Sequence, residues 1–204
     1  MWNWSENQIT LVLIRHGQTQ SNKEGRYLGR TDEGLSIEGE QELLELCRNN
    51  IYPKLDYLFI SPMKRCIETA HILYHDLTAI TIPEWREMDF GAFEGKNYME
   101  LKEDKRYQAW IDSGGTLAFP EGESREEFIL RCEKGFSSMC QELCKIDKKN
   151  ITVGMIVHGG TIMAVLSQYC GGDYFDYQVP NGKGYVCHLK GTETQIQLVD
   201  VKKI

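Results

Sequence analysis

Apolar residues along this chain gather in short runs that end abruptly in polar or glycine residues. Leu11-Val12-Leu13-Ile14 stops at Arg15-His16-Gly17, Leu55 to Ile60 stops at Ser61-Pro62, and Ile151 to Val157 stops at His158-Gly159-Gly160. All three predict strands, and the first and last, apolar and rich in branched residues, predict buried ones. Thr78 to Ile82 predicts a short strand near a sheet edge, and Tyr185 to Leu189 with Gln195 to Val201 around Gly191 predict a terminal hairpin.

Between the strands the period lengthens to that of helices. Ser36 opens one, with Glu38 and Glu40 placed against its dipole, Leu43, Leu44 and Leu46 as its apolar face and an end near Asn49-Asn50. Ser61-Pro62 reads as the N-cap and first residue of a second helix, carrying Cys66, Ile67, Ala70 and Leu73 and running to about Asp76. Ser124-Arg125-Glu126-Glu127 is a capping box for a long third, whose Phe128, Cys132, Phe136, Met139 and Leu143 form one continuous core stripe. Asp147-Lys148-Lys149-Asn150 reads as a turn, and Thr161 to Tyr169 as a helix stopped by Gly171-Gly172. Strand and helix alternate, so the expected fold is α/β, a three-layer sandwich with a mostly parallel central sheet flanked by helices. Residues 17–35 form a long polar loop, and about 84–123 lose periodicity and predict a partly helical excursion over the site.

The 204 residues suit one domain, and a net charge of -7 disfavours nucleic acid and anionic membrane as partners. Met1 to Gln8 lack a basic n-region and no apolar run approaches membrane-helix length, so cytoplasmic residence is the expectation. The seven cysteines form no CxxC pair and read as buried thiols of a reducing compartment. His71 and His75 have a zinc-compatible spacing but no evident third ligand, and His188 reads as structural.

Ligands in open α/β sheets bind beyond the carboxyl ends of strands. Arg15 and His16, Arg65 and His158 all stand there, and Glu87 lies just past the short edge strand. Arg65 falls in a first helical turn, where the dipole disfavours a cation, which points to an anion nearby. Arginine forks grip phosphate and a neutral imidazole is a nucleophile toward phosphorus. A second histidine can donate to the phosphoryl oxygens, and a carboxylic acid can protonate the leaving oxygen. The set therefore points to phosphoryl transfer.

The motifs Arg15-His16-Gly17 with Gln18 to Asn22, Leu28-Gly29, Ser61 to Ala70, Glu87 to Gly95, Pro120 to Ser124 and Val157 to Gly160 resemble, in order, those of the histidine phosphatase (phosphoglycerate mutase-like) superfamily. The resemblance implies that His16 is the nucleophile that becomes a phosphohistidine. It implies that Arg15 and Arg65 clamp the phosphate, that His158 completes the pocket, and that Glu87 is first the acid and then the base for water. It assigns Asn22, Leu28, Gly29 and Gly159 to substrate or phosphate binding, and calls for no metal or other cofactor. The expected partner is a small phosphorylated metabolite.

Mutases of the family carry a longer insertion, a tryptophan where Arg30 stands and an arginine-rich segment where Lys96, Lys102, Lys105 and Arg106 are interrupted by acids. The chain looks more like a compact phosphatase of the alpha-ribazole phosphatase or broad-specificity branch. A phosphoglycerate mutase, or a fructose-2,6-bisphosphatase-like activity using Arg26, Arg30 and Lys96 for a second anion, is the alternative; a noncatalytic phospholigand-binding protein is a remoter one. Trp85, Trp110, Tyr98 and Tyr107 read equally as pocket wall or as core, and Asn181-Gly182 as a turn beside the pocket.

Overall fold

Leu11 and Leu13 point into one core, with Phe136 and Met139, while Val12 and Ile14 point into another, with Cys66 and Ala70. That is why the run is continuously apolar: the strand it forms has no face toward water. In a computed structural model describing residues 8–146, 148, 150–192 and 195–204, this strand is β1 (Ile9–Arg15). There follow α1 (Gln20–Lys23), α2 (Ile37–Arg48), β2 (Tyr57–Ile60), α3 (Lys64–Leu73) and β3 (Ala79–Thr81). The excursion holds α4 (Tyr98–Leu101), α5 (Lys105–Asp112) and two short 3₁₀ turns. Then come α6 (Arg125–Leu143), β4 (Ile151–Val157), α7 (Gly159–Cys170), β5 (Gly184–Thr192) and β6 (Gln195–Lys203).

The strands form a six-stranded sheet in the order β3-β2-β4-β1-β5-β6. The first four are parallel, and β5 and β6 form an antiparallel hairpin against β1, which makes the sheet mostly parallel, as expected. Side chains of α3 pack on one face and those of α6 and α7 on the other. The excursion has its own core of Phe93, Tyr107 and Phe119, which sits on Phe128, Cys132 and Ala164 of α6 and α7. Gly184 is required where β5 meets β1, since a Cβ there would lie 1.8 Å from the Leu13 carbonyl oxygen.

The register places the chemistry. Arg15 pairs with Val157 and Ile60 with Ile156. His16, His158 and Ser61 are therefore the next residues off three adjacent strands. The His16 amide donates to Val157 O at 2.9 Å, and the Ser61 amide to Ile156 O at 3.0 Å.

Several expectations need correcting. Ser61 and Pro62 do not begin α3; its N-cap is Met63, because Ser61 Oγ is bonded to His158 Nε2 and accepts from the Met63 amide. The same helix stops at Leu73 rather than Asp76, where Tyr74 leaves helical geometry. Leu44 and Ile67 are exposed, so both helices bury narrower stripes than expected. The loop over 17–35 contains α1, and α7 starts at Gly159 with His158 as N-cap. The capping box at Ser124 and the α6 stripe are as expected. Residues 1–7, and Asp147 and Lys149 of the expected turn, lie outside the described residues. No helix among the described residues is long and apolar enough to cross a membrane.

Candidate active site

The end of β1 delivers His16 into a nearly water-free position. Its Nδ1 lies 2.7 Å from Gly17 O, and a carbonyl can only accept. Nδ1 therefore carries the proton, and the Nε2 lone pair is the reactive one. Burial, then the guanidiniums of Arg65 and Arg15, hold the imidazole well below its ordinary pKa, so it is neutral near pH 7. Gly17 is fixed in turn, its amide donating to Thr69 Oγ1 at 3.0 Å while Asn181 Nδ2 donates to His16 O at 3.1 Å and Gly17 O at 3.3 Å.

Arg65, in the first turn of α3, is completely buried and forms no salt bridge with a carboxylate among the described residues. Its Nη1 donates to Thr31 O at 3.0 Å, its Nη2 to Gly29 O at 3.0 Å and Leu28 O at 3.5 Å, and its Nε to His158 Nδ1 at 3.3 Å. His158 Nδ1 is thus an acceptor, and Nε2–H donates to Ser61 Oγ at 2.8 Å. His158 is buried 5.2 Å from His16, ring centre to ring centre. Burial and Arg65 keep it neutral as well. Both its nitrogens are committed, so in this geometry it orients Arg65. Cys66 Sγ lies 3.7 Å from His158 Nε2, but burial pushes its thiol up to about 12 and it stays protonated.

Arg15 donates from Nη1 to Val179 O at 2.9 Å, and its buried Nε–H has no acceptor among the described residues. Its guanidinium lies against Gly159, where a Cβ would sit 3.5 Å from Nε. A spare arginine donor beside the N-terminus of α7 is a ready anion site. Glu87 Oε1 accepts from the Met88 amide at 3.0 Å. Burial raises its carboxyl above the ordinary range, opposed by that amide and by Arg65 and Arg15. A raised carboxyl is what a proton donor requires.

Arg15, Glu87, Gly159 and Gly160 form the polar floor of a cavity of about 600 Å³, in the range of small-molecule sites. Its walls are aromatic. Tyr27, Phe90, Trp110 and Phe119 line it, with Trp110 and Phe119 centred 4.8 Å apart, together with Tyr174 and Phe175. Arg125 also lines it, donating to Gly114 O and Gly115 O, with its guanidinium carbon 5.1 Å from the Phe175 ring centre.

Arg15, His16, Arg65, Glu87, His158 and Gly159 are brought together; others behave differently. Leu28 and Gly29 hold Arg65 by their carbonyls, and the Gly29 amide donates to Glu94 Oε1 at 2.9 Å, as does that of Thr31 at 3.0 Å. Asn22 Oδ1 accepts from the Thr19 amide and from Asn181 Nδ2. Arg26 is ion-paired with Glu24 and Glu100, and Arg30 lies 3.5 Å from Asp89 in a second cleft that shares Glu87 with the aromatic cavity; neither these nor Lys96 line the aromatic cavity itself. Of the four aromatics considered, Trp110 alone is wall, whereas Trp85 and Tyr107 are core and Tyr98 is exposed. His188 meets Thr10 Oγ1 at 3.3 Å, and no cluster of three metal-ligating side chains exists among the described residues. In the sequence Ser61 reads as a helix cap and Asn181 as part of a turn beside the pocket, while Thr69 and Arg125 have no site role of their own. The spacing of Arg65 and Thr69, one helical turn apart, is a signal that marks Thr69.

The chain is similar to known proteins in sequence and in fold. The sequence matches the histidine phosphatase superfamily (branch 1) over residues 11–202. A phosphatase of Bacillus subtilis is 32% identical over 166 residues, covering 80% of this chain and 78% of its own. A 2,3-bisphosphoglycerate-dependent phosphoglycerate mutase of Bifidobacterium longum is 30% identical over 189 residues, covering 76% of this chain and 75% of its own. The alpha-ribazole phosphatase of Shigella flexneri superposes with a TM-score of 0.76 at 24% identity, over 93% of this chain and 94% of that one, a likeness of fold.

Proposed function

The chain belongs to the histidine phosphatase superfamily, and on that premise we propose that it hydrolyses a small phosphate monoester, without a metal, through a phosphohistidine on His16. The observation that carries this reading is the neutral His16 with its Nε2 lone pair free, beside two guanidiniums and a carboxyl raised toward protonation. Nε2 attacks phosphorus as the ester P–O bond breaks, and the leaving oxygen takes the proton of Glu87. Arg15 and Arg65 balance the charge on the phosphoryl oxygens. Glu87, now a carboxylate, takes a proton from water as the water oxygen attacks phosphorus. The P–N bond breaks, and phosphate leaves with His16 and Glu87 restored.

Two opposed requirements set the pH dependence. His16 must be neutral, and its lowered pKa puts the acid limb of kcat/KM below 6.5. Glu87 must be protonated, and its raised pKa puts the alkaline limb above 4.5. The expected profile is a bell on the acidic-to-neutral side, and Glu87→Gln should remove its alkaline limb. A profile flat from acid to alkaline pH in the native enzyme would contradict both assignments.

For the leaving group, aromatic walls support an ester whose alcohol carries a flat ring, such as alpha-ribazole phosphate. A bis-anionic substrate is less well served, since Arg26 and Arg30 are already paired with acids. We expect kcat/KM for alpha-ribazole 5'-phosphate to exceed that for 3-phosphoglycerate and fructose 2,6-bisphosphate. Trp110→Ala should reduce the first by about tenfold and leave the others nearly unchanged. Interconversion of 2- and 3-phosphoglycerate faster than phosphate release would instead establish a mutase.

A further inference from the structure

Glu87 lies just beyond the turn Pro83–Trp85, on a segment with no ladder to hold it. A proton donor must nevertheless be held within a few tenths of an ångström of its working position. The structure shows what holds the backbone around it. Arg131, on the rigid nineteen-residue α6, donates from Nη1 to Glu84 O at 2.7 Å and to Arg86 O at 2.8 Å, and from Nη2 to Glu87 O at 3.3 Å. The rest of its fork grips Glu123, Nε to Oε1 at 2.8 Å and Nη2 to Oε2 at 2.7 Å. Glu123 Oε2 also accepts from the Asp89 amide at 3.1 Å, and the Glu123 amide donates to Asp89 O at 2.9 Å.

One guanidinium and one carboxylate thus fasten the main chain on both sides of Glu87. Arg131 does not line the aromatic cavity; with Glu123 it lines the adjoining cleft, which shares Glu87 with that cavity. All of its donors are spent on this segment and Glu123. We propose that Arg131 and Glu123 are positioning residues for the acid, setting Glu87 so that its proton meets the leaving oxygen. The inference rests on the role assigned to Glu87 above. Lysine cannot substitute: a single ammonium does not reproduce a planar fork that serves a carboxylate bidentately and several carbonyls at once.

Leaving groups separate positioning from general damage. p-Nitrophenolate departs without a proton, whereas an alkoxide needs one. In Arg131→Lys we expect kcat/KM for an alkyl phosphate such as glycerol 2-phosphate to fall about 10²-fold, and that for p-nitrophenyl phosphate at least about tenfold less. Glu87→Gln should show the same selectivity, and adding Arg131→Lys to it should cost little more, since both remove one function. Thermal melting would establish that the variants fold. If Arg131→Lys does not, Glu123→Gln carries the same test. Equal losses on both substrates, or full additivity with Glu87→Gln, would overturn the positioning role. A Glu87→Gln enzyme lacking the selectivity would overturn Glu87's own role, and the inference with it.

Discussion

His16→Ala is expected to lower kcat on the order of 10⁴-fold or more, with the fold intact. The reaction needs a nitrogen lone pair at the end of β1, and His158, the other histidine beside it, cannot supply one: its Nδ1 is on Arg65 and its Nε2 on Ser61. The substitution removes the ring without disturbing the register, because Val157 O and Asn181 contact the backbone of residue 16 and not its side chain. Circular dichroism and melting temperature near those of the native protein, with turnover lost, would meet the expectation. Turnover equal to the native enzyme's would remove the basis of the proposed chemistry.

Arg65→Met has the second largest expected effect, because Arg65 does two jobs. As a phosphate clamp it should be worth on the order of 10²–10³-fold in kcat. As a buried cation it satisfies the carbonyls of Leu28, Gly29 and Thr31 and the Nδ1 of His158. Leaving these without a donor should cost about 2–4 kcal/mol of stability, measured by denaturant unfolding. A readout independent of stability is the pH profile. Arg65 is among the groups holding His16 and His158 below their ordinary values. Removing the cation makes protonation easier, so the acid limb of kcat/KM should move to higher pH. A limb that stays in place would show that Arg65 does not act on the nucleophile electrostatically.

Much of this site is written in local sequence. Each apolar run that ends in a reactive residue became a strand end, and the register of β1 with β4 set His16 beside His158. What was illegible acts through tertiary approach rather than period. Arg125 reads in the chain as part of a capping box, yet its side chain folds back to Gly114 and Gly115 and over Tyr174 and Phe175. Arg131 lies beside the α6 core stripe and looks like any solvated arginine, while its partners are carbonyls 44 to 47 residues away. Leu28 and Gly29 carry the family motif, but their part is to present carbonyls to Arg65, with Glu94 holding the loop that does so. Ser61 reads as a cap because serine before proline favours one; the competing bond to His158 wins.

The central claim is a covalent phosphorylated His16. It is tested by mixing enzyme and ³²P-labelled p-nitrophenyl phosphate, whose leaving group needs no proton, in EDTA, quenching in alkali and following protein-bound label. The account predicts an acid-labile, alkali-stable phosphoprotein that maps to His16, builds up in Glu87→Gln as water activation fails, and is absent from His16→Ala. Label on another residue, or hydrolysis that proceeds with no phosphoprotein and survives the loss of His16, would contradict it.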